Sequence, residues 1–333
     1  MGLRRQLVRL EKENNWCIAG INNSWYENGI IRVSLEKGGN LYRISKLKMT
    51  CNSLSSSIDG LKFAFCCSWK GLYIINSDGS GLKELFSAKE LFPGCSDIWC
   101  TSWSPSGKLI AFTVSYSEGW KKDHPDTIKC IENLYIIDIE TGETKFLTTA
   151  PCLGISSQAW SPDGNKIVYE SAKDESPEKV FFDKPPTHYE IKIMDINTKE
   201  TIKIAEGRCP SWSPDGRKIA YKDKDGDAYL LNPDGSGKEL LIKGEVSWRD
   251  SYIRAIGDLW GDLLWSPDSK FILYGRETGM KGHESTLYII DVETKKSIRI
   301  GGYEIVPSPF IIWVQHRRYY FTPSVWVSLK KEG

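Results

Sequence analysis

The residues whose types and spacing could do chemistry in this chain are few. Of four histidines, His124, His188 and His283 are widely separated in the sequence. A shared zinc ion would need its nitrogen ligands at about 2.0–2.1 Å, so these read as loop histidines and no metal or other cofactor is expected. A serine hydrolase needs Gly-x-Ser-x-Gly between a strand and a helix, and Gly154-Ile-Ser-Ser-Gln158 lacks the second glycine. Asp223-Lys-Asp-Gly-Asp227 has the acidic spacing of a calcium loop without the distal glutamate, and reads as a hairpin turn. Asp78-Gly-Ser-Gly81 and Asp234-Gly-Ser-Gly237 have no helix behind them to complete a phosphate cradle. The nine cysteines include no Cys-x-x-Cys pair, which fits inert thiols in a reducing compartment.

With little chemistry in the motifs, the elements carry the information. Trp160 to Tyr169 reads as the end of one strand, a Ser-Pro-Asp-Gly turn, and a β-branched and aromatic strand. The unit recurs from Trp103, Trp212 and Trp265, at intervals of 52 to 57 residues. Each copy is followed by a second apolar run, such as Leu134 to Asp138 or Leu287 to Asp291. A repeat of this length made only of strands and turns is the mark of propeller blades.

The Trp-Ser-Pro-Asp-Gly turn, its Ile-Val-Tyr-type strand and the Leu-Tyr-Ile-Ile-Asp-type strand together resemble the TolB-like β-propeller repeat, found also in the propeller domains of prolyl oligopeptidase-type enzymes. The resemblance implies an all-β propeller and a protein-binding role, since TolB works with envelope lipoproteins. Some TolB-like propellers are oligogalacturonate lyases with a histidine-held metal, which makes a carbohydrate-active enzyme at the channel mouth the alternative. Of the prolyl oligopeptidase architecture, only the propeller is expected.

Weaker copies extend the pattern. Ser56 to Phe65 fits without its tryptophan, Trp313 to Phe321 without its proline and glycine, and Trp25 to Val33 keeps the Trp-to-Gly spacing. Seven four-stranded blades are therefore expected, with six as the alternative, in a single domain over residues 1–333. An N-terminal strand, Gln6 to Glu11, is expected to join the C-terminal blade and close the ring, removing exposed edges.

Charge is nearly balanced, 44 basic against 43 acidic residues, which argues against nucleic acid as the main partner. No apolar run approaches the roughly 20 residues of a membrane helix, and the N-terminus lacks a signal-peptide core. A cytoplasmic location is expected, or a periplasmic or secreted one if a signal was removed.

In such a blade, the Ser-Pro-Asp-Gly turns and the turns after Asp138, Asp195 and Asp291 share one face. The longer connections between second and third strands, and the crossovers between blades, share the other. Binding residues concentrate in loops held by a rigid scaffold, so the candidate surface is this second face. Its candidates are Trp248, Arg249, Tyr252 and Arg254 in the long crossover, and Asp97, Trp99, Arg208, Trp260 and Asp262 at the channel mouth, where an acid–base pair could hold a ligand. The expected function is a non-catalytic scaffold binding a protein partner, or an extended ligand such as carbohydrate.

Overall fold

The computed structural model describes residues 16–23, 28–33, 41–47, 51–67, 70–95, 97–118, 129–151, 157–172, 188–244, 263–277, 285–303 and 321–328. Its unit is set by the turn. At residues 161–166, Ser161 Oγ donates to Asp163 Oδ1 (2.5 Å) and accepts from Lys166 N (2.9 Å), while Asn165 N donates to the same Asp163 oxygen (3.0 Å). Gly164 sits at φ +73°, the left-handed region that closes the turn. The same bonds recur around Ser57 and Asp59, Ser213 and Asp215, and Ser266 and Asp268. Each turn satisfies its own polar groups and hands the chain to an antiparallel strand.

The chain begins with β1 (Trp16–Asn23), β2 (Asn28–Val33) and β3 (Leu41–Leu47). Five sheets of four consecutive strands follow. They are β4 (Cys51–Ser56), β5 (Lys62–Cys67), β6 (Gly71–Asn76) and β7 (Lys83–Ser87), followed by the short helix α1 (Ala88–Leu91); then β8 (Asp97–Trp103), β9 (Leu109–Glu118), β10 (Lys129–Asp138) and β11 (Thr144–Pro151). Next come β12 (Gln158–Trp160), β13 (Lys166–Ala172), β14 (Tyr189–Asp195) and β15 (Thr201–Glu206), then β16 (Arg208–Trp212), β17 (Ile219–Lys222), β18 (Ala228–Leu231) and β19 (Glu239–Ile242). The last of the five holds β20 (Leu264–Trp265), β21 (Phe271–Glu277), β22 (Ser285–Asp291) and β23 (Ser297–Tyr303). A final strand, β24 (Phe321–Ser328), lies antiparallel to β1 and makes a composite sheet in the order β24-β1-β2-β3.

The all-β propeller is as expected, but the blade count is not. Among the described residues, five blades of four consecutive strands are present with one composite four-stranded sheet beside them, where seven or six blades were expected. The first and last weak copies, expected to form separate blades, contribute strands to one composite sheet. The closure is also reversed. The C-terminal strand β24 adds to the N-terminal strands as the innermost member, touching both β4 and β20. Among the described residues no N-terminal strand joins the β20–β23 sheet; residues 6–11, assigned that part, lie outside the described residues. The physical reason is pairing: β1 has a free inner edge that β24 covers over seven residue pairs, from Trp16↔Ser328 to Asn22↔Phe321.

The core lies between the sheets. Along the second and third strands of a blade, aromatic residues directly opposite one another stack: Phe65 on Tyr73, Phe112 on Tyr135, Tyr221 on Tyr229 and Tyr274 on Tyr288, with centroids 5.5–5.9 Å apart. Such cross-strand pairs are the unit of sheet stabilisation. The repeat tryptophans tie neighbouring blades together. Trp160 Nε1 donates to Ser102 O on the preceding inner strand (3.0 Å), and Trp265 Nε1 donates to Ser211 O (3.2 Å). Trp212 departs from this, donating to Gly216 O in its own turn (3.3 Å).

Candidate functional site

Three inner strands carry a bulge about three residues before the end of the strand. Register shifts fall between Asn52 and Leu54, Trp99 and Ser102, and Arg208 and Ser211. Ser53 (φ +52°) and Cys209 (φ +53°) occupy equivalent left-handed positions there. A bulge frees a backbone N–H and re-aims the neighbouring side chain. Thr101 N donates to Ser53 Oγ (2.6 Å), and Cys209 N donates to Glu170 Oε2 (2.6 Å). In both cases the freed group is taken up by the preceding blade.

Around Cys209 this produces a buried polar cluster. Glu170, in β13, is fully buried, and Arg208 Nη2 lies 3.6 Å from its Oε1. The guanidinium also stacks over the Tyr189 ring, 4.1 Å from its centroid. Entry into β16 requires Gly207: a Cβ there would lie 2.3 Å from the Lys222 carbonyl oxygen and 2.6 Å from the Tyr221 ring, at φ +154°. Glycine at this point lets the crossover pass close enough for Arg208 to reach across.

The electrostatics fix the charge states. Burial is the largest single influence on Arg208 and works to lower its pKa, but the groups around it, Glu170 foremost, together outweigh it, and the guanidinium stays protonated, shifted upward. Burial raises the Tyr189 phenol; Arg208 opposes this, while Glu170 and Glu132 reinforce it. Tyr189 is therefore neutral, and its buried hydroxyl has no hydrogen-bond partner among the described residues. One blade earlier, Trp99 Nε1 donates to Ser115 Oγ (2.7 Å) and Ser115 Oγ donates to the buried Glu132 (3.2 Å). The cluster thus offers a cation braced on an aromatic ring, a buried phenol and two carboxylates. That is the chemistry of recognition.

Of the expected site residues, Arg208 takes part in this cluster. Its acidic partner is Glu170, which sequence reasoning missed, and not Asp97 or Asp262. Asp97 heads β8 and its Oδ1 accepts from Ile98 N (2.8 Å), while Trp99 points within its own blade. Trp248, Arg249, Tyr252, Arg254, Trp260 and Asp262 lie outside the described residues, as do His124 and His283. Glu170, Tyr189 and Glu132 escaped notice because they lie in strands whose pattern reads as packing. A signal existed: Glu170 is charged where two other copies have Cys66 and Thr113.

The rejected motifs are turns. Asp223 Oδ1 accepts from Asp225 N and Asp227 N, and the buried Asp227 holds Gly244 N (2.7 Å) and Lys243 (2.8 Å) at the start of the long crossover. Asp78 and Asp234 each accept from the serine two residues on. Among the described residues no group of three or more His, Cys, Asp or Glu could hold a metal ion, and no helix is long and apolar enough to cross a membrane. Cys66 and Cys67 are both buried, and burial raises the Cys66 pKa well above its ordinary value.

This geometry defines an all-β propeller, the fold that the repeats implied, and its likeness to known structures includes TolB. The TolB structure from Acinetobacter baumannii superposes with a TM-score of 0.61 at 14% identity, covering 94% of this chain and 67% of that one. An oligogalacturonate lyase from Vibrio parahaemolyticus gives 0.54 at 12% identity, covering 84% and 72%. In sequence, the chain is 29% identical over 165 residues to dipeptidyl-peptidase 5 of Porphyromonas gingivalis, matching 48% of this chain and 22% of that protein. The match thus spans about a fifth of that relative's length. No family model matches the chain.

Proposed function

We propose that this chain is a non-catalytic propeller scaffold that binds a protein partner, or an extended ligand, on the face bearing the crossovers and the connections between second and third strands. The observation that carries the reading is the contrast between the two faces. The turns of one face consume their polar groups in their own hydrogen bonds. The other holds the Arg208–Glu170–Tyr189 cluster, in which a charged donor, an aromatic ring and a buried hydroxyl with no partner among the described residues converge. Arginine and tyrosine in a sheltered setting are the residue types that dominate binding energy.

The test is capture of a partner from native lysate on immobilised protein, followed by titration of that partner against Arg208→Ala and, as a control on the other face, Lys166→Ala. Affinity should fall at least tenfold for Arg208→Ala alone. Equal affinity for the two variants would remove this face from the reading. A second reading, a carbohydrate-active enzyme, is favoured by the two buried carboxylates Glu132 and Glu170 at the same end. Turnover of oligogalacturonate, abolished by Glu132→Gln, would establish it in place of the scaffold.

A further inference from the structure

On the opposite face, the sheet β4–β7 differs from its sisters. Its first turn carries Ile58 and Leu61, 74% and 42% exposed, and its last carries Leu82, 49% exposed. At the position of Ile58 the strong copies have Pro105, Pro162, Pro214 and Pro267, and at that of Leu61 they have Lys108, Asn165, Arg217 and Lys270. The β16–β19 sheet has Lys238 where this one has Leu82. The two turns are joined by the Ser77 N–H donated to Leu61 O (2.9 Å). Three large apolar side chains are thus held in water by one rigid pair of turns.

Beside them a groove of about 510 Å³ opens between this sheet and the β8–β11 sheet, with Ile74 and Ile139 in its wall, Lys62, Lys83 and Asn76 on one side and Glu140 on the other. Sister grooves are bridged. Lys145, in the register position of Lys83, donates to Ile196 O of the next sheet (2.7 Å). Lys295 pairs with Glu239 (2.6 Å) and donates to Leu240 O (3.0 Å) across its own boundary. Lys218, equivalent to Lys62, donates to Asn232 Oδ1 (2.9 Å). Neither Lys62 Nζ nor Lys83 Nζ has a hydrogen-bond or ion-pair partner among the described residues. The nearby turn carboxylates are committed: Asp59 accepts from Ser57 Oγ and Leu61 N, and Asp78 accepts from Ser80.

We propose that this groove and the apolar turns beside it dock an extended segment of a partner protein, one that alternates Asp or Glu with Leu or Ile. Its carboxylate takes, between Lys62 and Lys83, the part that Glu239 plays for Lys295. Its apolar side chains cover Ile58, Leu61 and Leu82, which flank the groove and lie beyond a small carboxylate seated inside it. The surface is independent of the Arg208 cluster, being on the other face.

The test selects from a random dodecapeptide library displayed on phage, with the intact chain as bait. Recovered peptides should be rich in acidic and branched aliphatic residues. Measured by fluorescence anisotropy, their binding should weaken tenfold or more in Lys62→Glu/Lys83→Glu and in Ile58→Ser/Leu61→Ser, and should fall with added salt. Both double variants change exposed side chains, and circular dichroism with thermal melting checks that they fold. Peptides that are basic, or that bind both variants as tightly as the parent, would overturn the proposal. So would octanoate binding with no peptide recovered, which would mark a small-molecule pocket, or self-association of the parent lost in Leu61→Glu, which would make the occupant a second copy.

Discussion

At the scale of single residues, the tryptophans of two copies, Trp160 and Trp265, hydrogen-bond to the preceding blade. Trp160 is buried and its indole N–H reaches the preceding inner strand at Ser102 O. Trp160→Phe keeps most of the apolar contact and strands that carbonyl, so a loss of about 1 kcal/mol is expected; Trp160→Ala should cost about 3–5 kcal/mol. Urea unfolding followed by fluorescence of the remaining tryptophans separates the two. Glu170→Gln keeps an acceptor for Cys209 N but leaves Arg208 without its counter-charge, and a loss of roughly 1–3 kcal/mol is expected by the same measurement. The tryptophans were legible in the sequence because they recur; Glu170 was not, because a repeat template averages away a position at which the copies differ, here Cys66, Thr113, Glu170, Lys222 and Gly275. Arg208 was found from its place at the head of an inner strand, whereas its partner comes from another blade and no spacing in the chain links them.

At the scale of the element, the turns were the most legible feature, since Ser-Pro-Asp-Gly encodes its own hydrogen bonds. Gly164→Ala meets only ordinary contact, with Pro105 Cδ 3.9 Å from the added carbon, so its cost is backbone strain at φ +73°. A destabilisation of about 1 kcal/mol is expected from chemical denaturation. The turn also carries a pH dependence. The Ser161 hydroxyl and the Asn165 amide hold the Asp163 carboxyl below its ordinary range, and the same kind of bonding lowers Asp78, Asp138, Asp195 and Asp234. A depressed folded-state pKa means stability that is present above the unfolded aspartate pKa of about 4 and is lost as pH falls through the folded value. The urea midpoint should therefore hold from pH 7 to about 5 and decline below about 4, with a shallower decline in Asp163→Asn. A flat acid limb would show that these bonds do not survive in solution.

At the scale of the whole molecule, the sequence exposed the repeat but not how its ends meet. Strand β1, Trp16–Asn23, has no turn signature and was passed over, while partial copies at either end each counted as a blade. Their shared sheet follows from tertiary pairing, which local pattern does not encode. Removing residues 321–328 should uncover the inner edge of β1 and leave β4 and β20 without the strand between them. Lower melting temperature and higher-order species in size-exclusion chromatography are expected, since an unpaired edge recruits other chains. The same arrangement has a bearing on birth as well as stability. During synthesis β24 leaves the ribosome about 300 residues after β1, so at roughly 5–20 residues per second the first sheet waits for tens of seconds without its innermost member. Through that interval the nascent molecule is an open arc, and it is then, more than after release, that a chaperone or a neighbouring polysome product would find a strand edge to seize.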